Sequence, residues 1–252
     1  MTLSRRRLLF TAGSGVLGVA VLNTVTGCSS AADEAGSAAT TPATVPSGSA
    51  AGPSASAADW RRVNLSFVSA YLLVRGSEVA VVDLGTAGSE TAIEAGLKAA
   101  GRDWAAVRHI ILTHQHADHA GGLAGVAPKV TAALYAGAAD VEGISSDKPL
   151  KPVADGDEVF GLRIIGTPGH TVGHVSVFDP STGVLVAGDA LRNPGGLAGA
   201  DPQYTADQAA AAASVRKLDT LDVRTILPGH GDPLTTGAAD ALRKLAASLL
   251  TS

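Results

Sequence analysis

The chain has 252 residues, 19 Lys and Arg against 23 Asp and Glu, a formal net charge of −4 and 46% hydrophobic residues. That is enough apolar material for one full domain with its own core, and without a Lys/Arg-rich stripe to neutralise phosphates it excludes a nucleic-acid binder. Cys28 is the only cysteine, which excludes a disulfide within the chain.

The N-terminus accounts for that cysteine. A basic stretch, SRRRLLF from Ser4 to Phe10, runs into a moderately apolar, Gly-interrupted segment that ends on Val25-Thr26-Gly27-Cys28. It resembles a bacterial lipoprotein signal with a twin-arginine export motif. The resemblance implies cleavage before Cys28, lipidation of Cys28, and a domain held at the outer face of the cell membrane. Residues 29–58 are almost entirely Ala, Ser, Thr, Gly and Pro. Such a segment buries too little apolar surface to offset the entropy of ordering, so it reads as a disordered tether. The domain is expected over residues 59–252.

Within the domain, strand and helix patterns alternate, which predicts an α/β fold. Residues 64–76 and 77–85 read as consecutive strands broken at Gly76-Ser77. Residues 89–101 have helical periodicity, with Ser89 as N-cap and Gly101 as stop. Residues 107–114 form a short apolar run, a buried strand delivering His114. Another strand is expected at 129–134. Residues 157–170 read as two short strands ending at Pro168-Gly169-His170, and 173–190 as strand, turn and strand ending at Asp189. A helix follows from Thr205, where Thr205 and Gln208 have capping-box spacing. A last strand ends at His230, and a closing helix spans 236–250. His114, His170, Asp189 and His230 thus each follow an apolar strand, where a rigid sheet presents functional groups.

The chain has seven His, and three of them lie in His114-Gln115-His116-Ala117-Asp118-His119. His114 and His116, two apart on a loop, can turn to one metal, and Asp118 and His119 to a second beside it. Two such ions can activate water and polarise a carbonyl or phosphoryl oxygen.

Taken together, His114, His116, Asp118, His119, His170, Asp189 and His230 resemble the full ligand set of the metallo-β-lactamase superfamily. Val81-Val82-Asp83-Leu84-Gly85 resembles its first motif. The resemblance implies an αββα four-layer sandwich with two zinc ions at one edge. One would be held by His114, His116 and His170, the other by Asp118, His119 and His230, with Asp189 bridging. Asp118 would orient or deprotonate the attacking water. Asp83 is expected behind the ligands, orienting them. His174 could be a spare ligand but reads better as a packed neighbour of the ligands. His109 reads as a polar residue at a strand start. Tyr204, just before a helix cap, is left outside the site.

A carboxylate at Asp189 resembles the glyoxalase II, lactonase and phosphodiesterase branches rather than the cysteine-bearing zinc β-lactamases. The implied activity is hydrolysis of a small ester, thioester, lactone or β-lactam by metal-bound hydroxide. The chain continues for only one helix beyond His230, which argues against a glutathione thioester. The alternatives are a mononuclear iron enzyme oxidising persulfides and a binding lipoprotein without catalysis. Specificity loops are expected near 66–71, 142–152 and 191–204, with few charged anchors beyond Arg192.

Overall fold

A computed structural model describes residues 59–249; the expected export signal, the expected lipidation at Cys28 and the expected linker fall outside the described residues. Strands β1 (Asp59–Leu65) and β2 (Val68–Arg75) form a hairpin. The run 64–76, expected as one strand, is therefore broken at Ser66-Phe67. There Ser66 takes φ +77° and its N–H donates to Asn64 Oδ1 at 3.1 Å. β3 (Glu78–Val82) pairs antiparallel with β2 and leads into helix α1 (Glu90–Ala99).

Ser89 precedes α1 but makes no side-chain cap, a departure from the expectation. Gly101 does stop the helix. It takes φ +67°, and the Gly101 and Arg102 N–H groups return to the Lys98 and Leu97 carbonyls, closing the last turn. β4 (Val107–Leu112) then runs parallel to β3. The short helices α2 (Ala117–Ala120) and α3 (Leu123–Val126) follow. The strand expected at 129–134 forms later, as β5 (Ala133–Gly137), because a 3-10 turn with Pro128 occupies Ala127–Lys129. β6 (Leu150–Val153) completes a six-stranded sheet ordered β1-β2-β3-β4-β5-β6.

The second sheet holds β7 (Glu158–Val159), β8 (Leu162–Gly166), β9 (Val175–Asp179), β10 (Val184–Gly188) and, after three intervening elements, β13 (Thr225–Pro228). A small hairpin, β11 (Leu191–Arg192) with β12 (Ala198–Gly199), precedes helix α4 (Gln208–Leu218), strand β13 (Thr225–Pro228) and helix α5 (Ala238–Ser248). The order is β13-β10-β9-β8-β7. The cap of α4 is Asp207, whose carboxylate accepts the Ala210 N–H at 2.9 Å, and not Thr205 as expected.

Three apolar layers hold the sheets and helices together. Alternate residues of β2 face opposite ways: Leu72 packs with Ile93 and Leu97 of α1, whereas Tyr71 and Leu73 meet Ile164, Val177 and Val186 of the second sheet. Phe178 and Leu185, on the far face of that sheet, pack with Val215 and Leu218 of α4 and Leu242 of α5. This is the expected helix-sheet-sheet-helix sandwich. Strands buried on both faces read as continuous apolar runs, which is why they stood out in the sequence.

Candidate metal centre

The ligand candidates gather where strands of both sheets end on one edge. His114 follows β4, His170 follows β8, Asp189 directly follows β10 and His230 follows β13. His116 precedes α2, which carries Asp118 and His119. Three groups of ligand atoms lie mutually within 4.8 Å: His114, His116 and His170; Asp118, His119 and His230; and His114, His119 and Asp189. Asp189 sits between the first two groups. Its Oδ2 is 3.3 Å from His170 Nε2 and 3.2 Å from His230 Nε2, and its Oδ1 is 3.1 Å from His119 Nε2. All seven residues singled out in the sequence are brought together.

The surroundings fix which ring nitrogen faces inward. His230 Nδ1 is 2.8 Å from the Phe67 carbonyl, which can only accept, so Nδ1 carries a proton. His119 Nδ1 likewise meets Asp83 Oδ2 at 2.8 Å. Thr113 Oγ1 donates to that same Asp83 oxygen, so it can only accept from His114 Nδ1, 3.1 Å away. Thr205 Oγ1 donates to the Asp201 carbonyl and stands 3.4 Å from His170 Nδ1. In all four rings Nε2 is left facing the centre. Asp83 also accepts the Thr113 N–H at 2.7 Å, so it orients two ligand rings from behind.

His174 is not in any ligand group. Its Nε2 accepts the Asp189 N–H at 3.0 Å, and its Nδ1 donates to Thr167 Oγ1, which bonds on to Ser176. Burial drives its pKa down to about 3, so it stays neutral and holds the backbone of Asp189. His109 lies within β4, stacked on Tyr135 and near Phe160, far from this chemistry.

These residues fit a cation. His116 Nδ1 lies 3.1 Å from His114 Nε2 and 2.9 Å from His170 Nε2. Burial, with nearby imidazoles, pushes His114 well down, and burial lowers His170 as well. At most one N–H, on His116, therefore serves three converging nitrogens. The second group draws positive charge. Burial opposes it at His119, but Asp189 and Asp83 outweigh burial and hold that ring well above its ordinary pKa. Asp118, followed by Asp189, lifts His230 to about 10. Gly229 makes room for this packing: a Cβ there would lie 2.2 Å from Asp189 Oδ1. The donor set, imidazole nitrogen and carboxylate oxygen, suits zinc or iron.

Residues 63–230 match the family model described as the metallo-beta-lactamase superfamily. This chain belongs to that superfamily. An uncharacterized protein YobT of Bacillus subtilis is 31% identical over 154 residues, covering 52% of this chain and 65% of the relative. A hydroxyacylglutathione hydrolase of Acidiphilium cryptum is 35% identical over 167 residues, covering 64% and 63%. The matches span about one third to two thirds of the curated relatives' own lengths. Among solved structures, the metallo-beta-lactamase family protein TTHA1429 of Thermus thermophilus aligns with a TM-score of 0.62 at 25% identity, covering 77% of this chain and 79% of that one. TTHA1623, solved in a di-iron-bound form, aligns at 0.58 and 26%, covering 71% and 93%.

In this superfamily member the centre opens into a cavity of about 610 Å3. Two of the three expected specificity loops line it, through Phe67 and through Arg192, Pro194, Asp201 and Tyr204. The third, 142–152, lines a separate small hollow instead. Tyr204, left out of the site on sequence grounds, stands at the rim and is 61% exposed. Phe67, 60% exposed, stacks on His230. Both fall in expected specificity loops, but their place at the site was not legible because a single loop aromatic carries no periodicity that reveals its direction.

A further residue went unread. Buried Asp140 accepts the Gln115 N–H at 3.0 Å, the Thr171 hydroxyl at 2.6 Å and the Gly173 N–H at 2.7 Å. It ties the loop of His114 and His116 to the loop of His170.

Proposed function

We propose that this chain is a two-zinc hydrolase that adds water to the carbonyl of a small ester, thioester or lactone. The observation that carries the reading is the convergence of His114, His116, His170, Asp118, His119, His230 and Asp189, with four imidazoles each pinned from behind so that Nε2 faces the centre. His114, His116 and His170 would hold one ion and Asp118, His119 and His230 the other, with Asp189 between them. Bound there, the ions would supply an activated water and polarise the scissile carbonyl.

The chain's own groups do the rest. Asp118 is half-buried and paired with His230, which holds its pKa below the usual carboxylate value. It is therefore ionised at neutral pH and faces the cavity. From there it can orient the attacking water, take its proton and return a proton to the leaving group. Asp83 and His174 touch no substrate; they keep His119 and the Asp189 backbone in place. Curated relatives named as hydroxyacylglutathione hydrolases support a thioester or ester carbonyl as the target.

The di-iron form of TTHA1623 favours a second reading, iron in the same site. Elemental analysis of the protein purified without chelator separates the two. Two zinc ions per chain, with ester or thioester cleavage lost in His116→Ala, is the expected result. Two irons would transfer the assignment to iron. No bound metal after reconstitution would sink it.

A further inference from the structure

The cavity beyond the metal centre carries one cation, Arg192, and that cation is already engaged. Its Nε donates to the Gly199 carbonyl at 3.1 Å, across the β11–β12 hairpin, and its Nη1 lies 3.6 Å from Asp201 Oδ2. Asp201 is itself held: its Oδ1 accepts the Gln203 N–H at 3.0 Å, and its carbonyl accepts from Tyr204 N and Thr205 Oγ1. A fixed carboxylate thus neutralises the guanidinium on a wall of the cavity. On that wall, away from the metal centre, an anionic group on a substrate would meet a guanidinium already paired and would lie near Asp201.

The remaining surfaces are apolar and flat. Phe67 stands on the His230 side, stacked at 6.1 Å and 12°. Tyr204 stands on the His170 side, one residue before the Thr205 that backs His170. Ala117 and Pro194 complete the lining used here. Two exposed aromatic rings flanking a metal centre are suited to a planar apolar substituent, which they can cover on its faces or edges.

We infer that the substrate of this site is uncharged and carries an aromatic or similarly flat apolar group next to the carbonyl. The Arg192–Asp201 pair acts as the filter against anionic substrates, glutathione thioesters included. The inference rests on the hydrolase reading for the identity of the carbonyl, but the selection by charge and shape belongs to the cavity itself.

Binding tests it separately from turnover. Phenylacetamide, which resists cleavage, and its ring sulfonate are titrated calorimetrically into the zinc-loaded full chain. The amide is expected to bind at least about tenfold more tightly than the sulfonate, since like charge disfavours the wrong ligand. Asp201→Asn frees Arg192 and should narrow or reverse that ratio. Arg192→Gln leaves Asp201 unpaired and should widen it. Phe67→Ala should weaken the amide. Sulfonate binding equal to or tighter than the amide in the unsubstituted protein overturns the inference, as does a ratio unmoved by both charge variants or an amide that does not bind. The methyl ester and methyl thioester of phenylacetic acid are assayed in parallel. If neither is cleaved while the binding ratios hold, the hydrolase reading fails and the charge filter stands.

Discussion

Asp140 offers no ligand atom to the centre, yet two ligand-bearing loops hang on its carboxylate. Asp140→Asn keeps the size but turns an NH2 group toward donors that need an acceptor. Leaving buried donors unsatisfied should cost roughly 2 kcal/mol of stability. Loosening the groups behind a metal site should also weaken zinc affinity and kcat/KM by about 10- to 100-fold. Chemical denaturation and a zinc competition titration check the two effects. A variant as stable and as tight as the parent would remove Asp140 from any positioning role. His230 adds a pH dependence. In the metal-free protein Asp118 and Asp189 raise it from 6.5 to about 10, so the fold favours its charged form. That stabilisation is fully present below pH 6.5 and is lost as pH rises through about 10. The urea midpoint of the metal-free protein should therefore fall over that window, and His230→Gln should flatten the fall. Zinc must displace the same proton, so its apparent affinity should rise with pH across the window. At this scale the sequence shows the ligands well, because three of seven His sit in one short loop and His170, Asp189 and His230 follow apolar strands. Asp140 sits in Ala138-Ala139-Asp140-Val141, a loop with no pattern, and its importance comes only from what folds around it.

The elements show the same division. Strands β2, β4, β9 and β10 are legible as apolar runs because the sandwich buries both their faces. β6 is not, since it lies at the sheet edge and contains Lys151 and Pro152, and the two-residue strands β11 and β12 are too short for any periodicity. Helix α4 shows how a site can override a local rule. Thr205 has capping-box spacing to Gln208, but its hydroxyl is spent on the Asp201 carbonyl and stands behind His170. Asp207 caps instead. Asp207→Ala should cost about 1 kcal/mol of stability, read as a lower thermal midpoint. Thr205→Ala should spare the cap and act mainly on turnover, through a His170 ring free to rotate. Equal stability losses in the two variants would contradict this assignment of the cap.

At the scale of the whole molecule, each proposed ion draws ligands from both sheets: His114 and His116 or Asp118 and His119 from the first, His170 or His230 from the second. Metal binds the folded arrangement and not the unfolded chain, so removal should destabilise the whole sandwich. At a thousandfold excess over Kd, each ion contributes about 4 kcal/mol. For a domain of this size, exhaustive chelation of both ions should lower Tm on the order of 20 °C, reversed by adding zinc back. A Tm indifferent to chelator would mean that no ion is held.

The ligands also divide along the chain, with residues 114–119 before the turn that follows β6 and residues 170–230 after it. Neither half alone holds a full set for either ion. Occupancy therefore reports that the two halves have met in register, much as a rivet enters only when the holes in both plates line up.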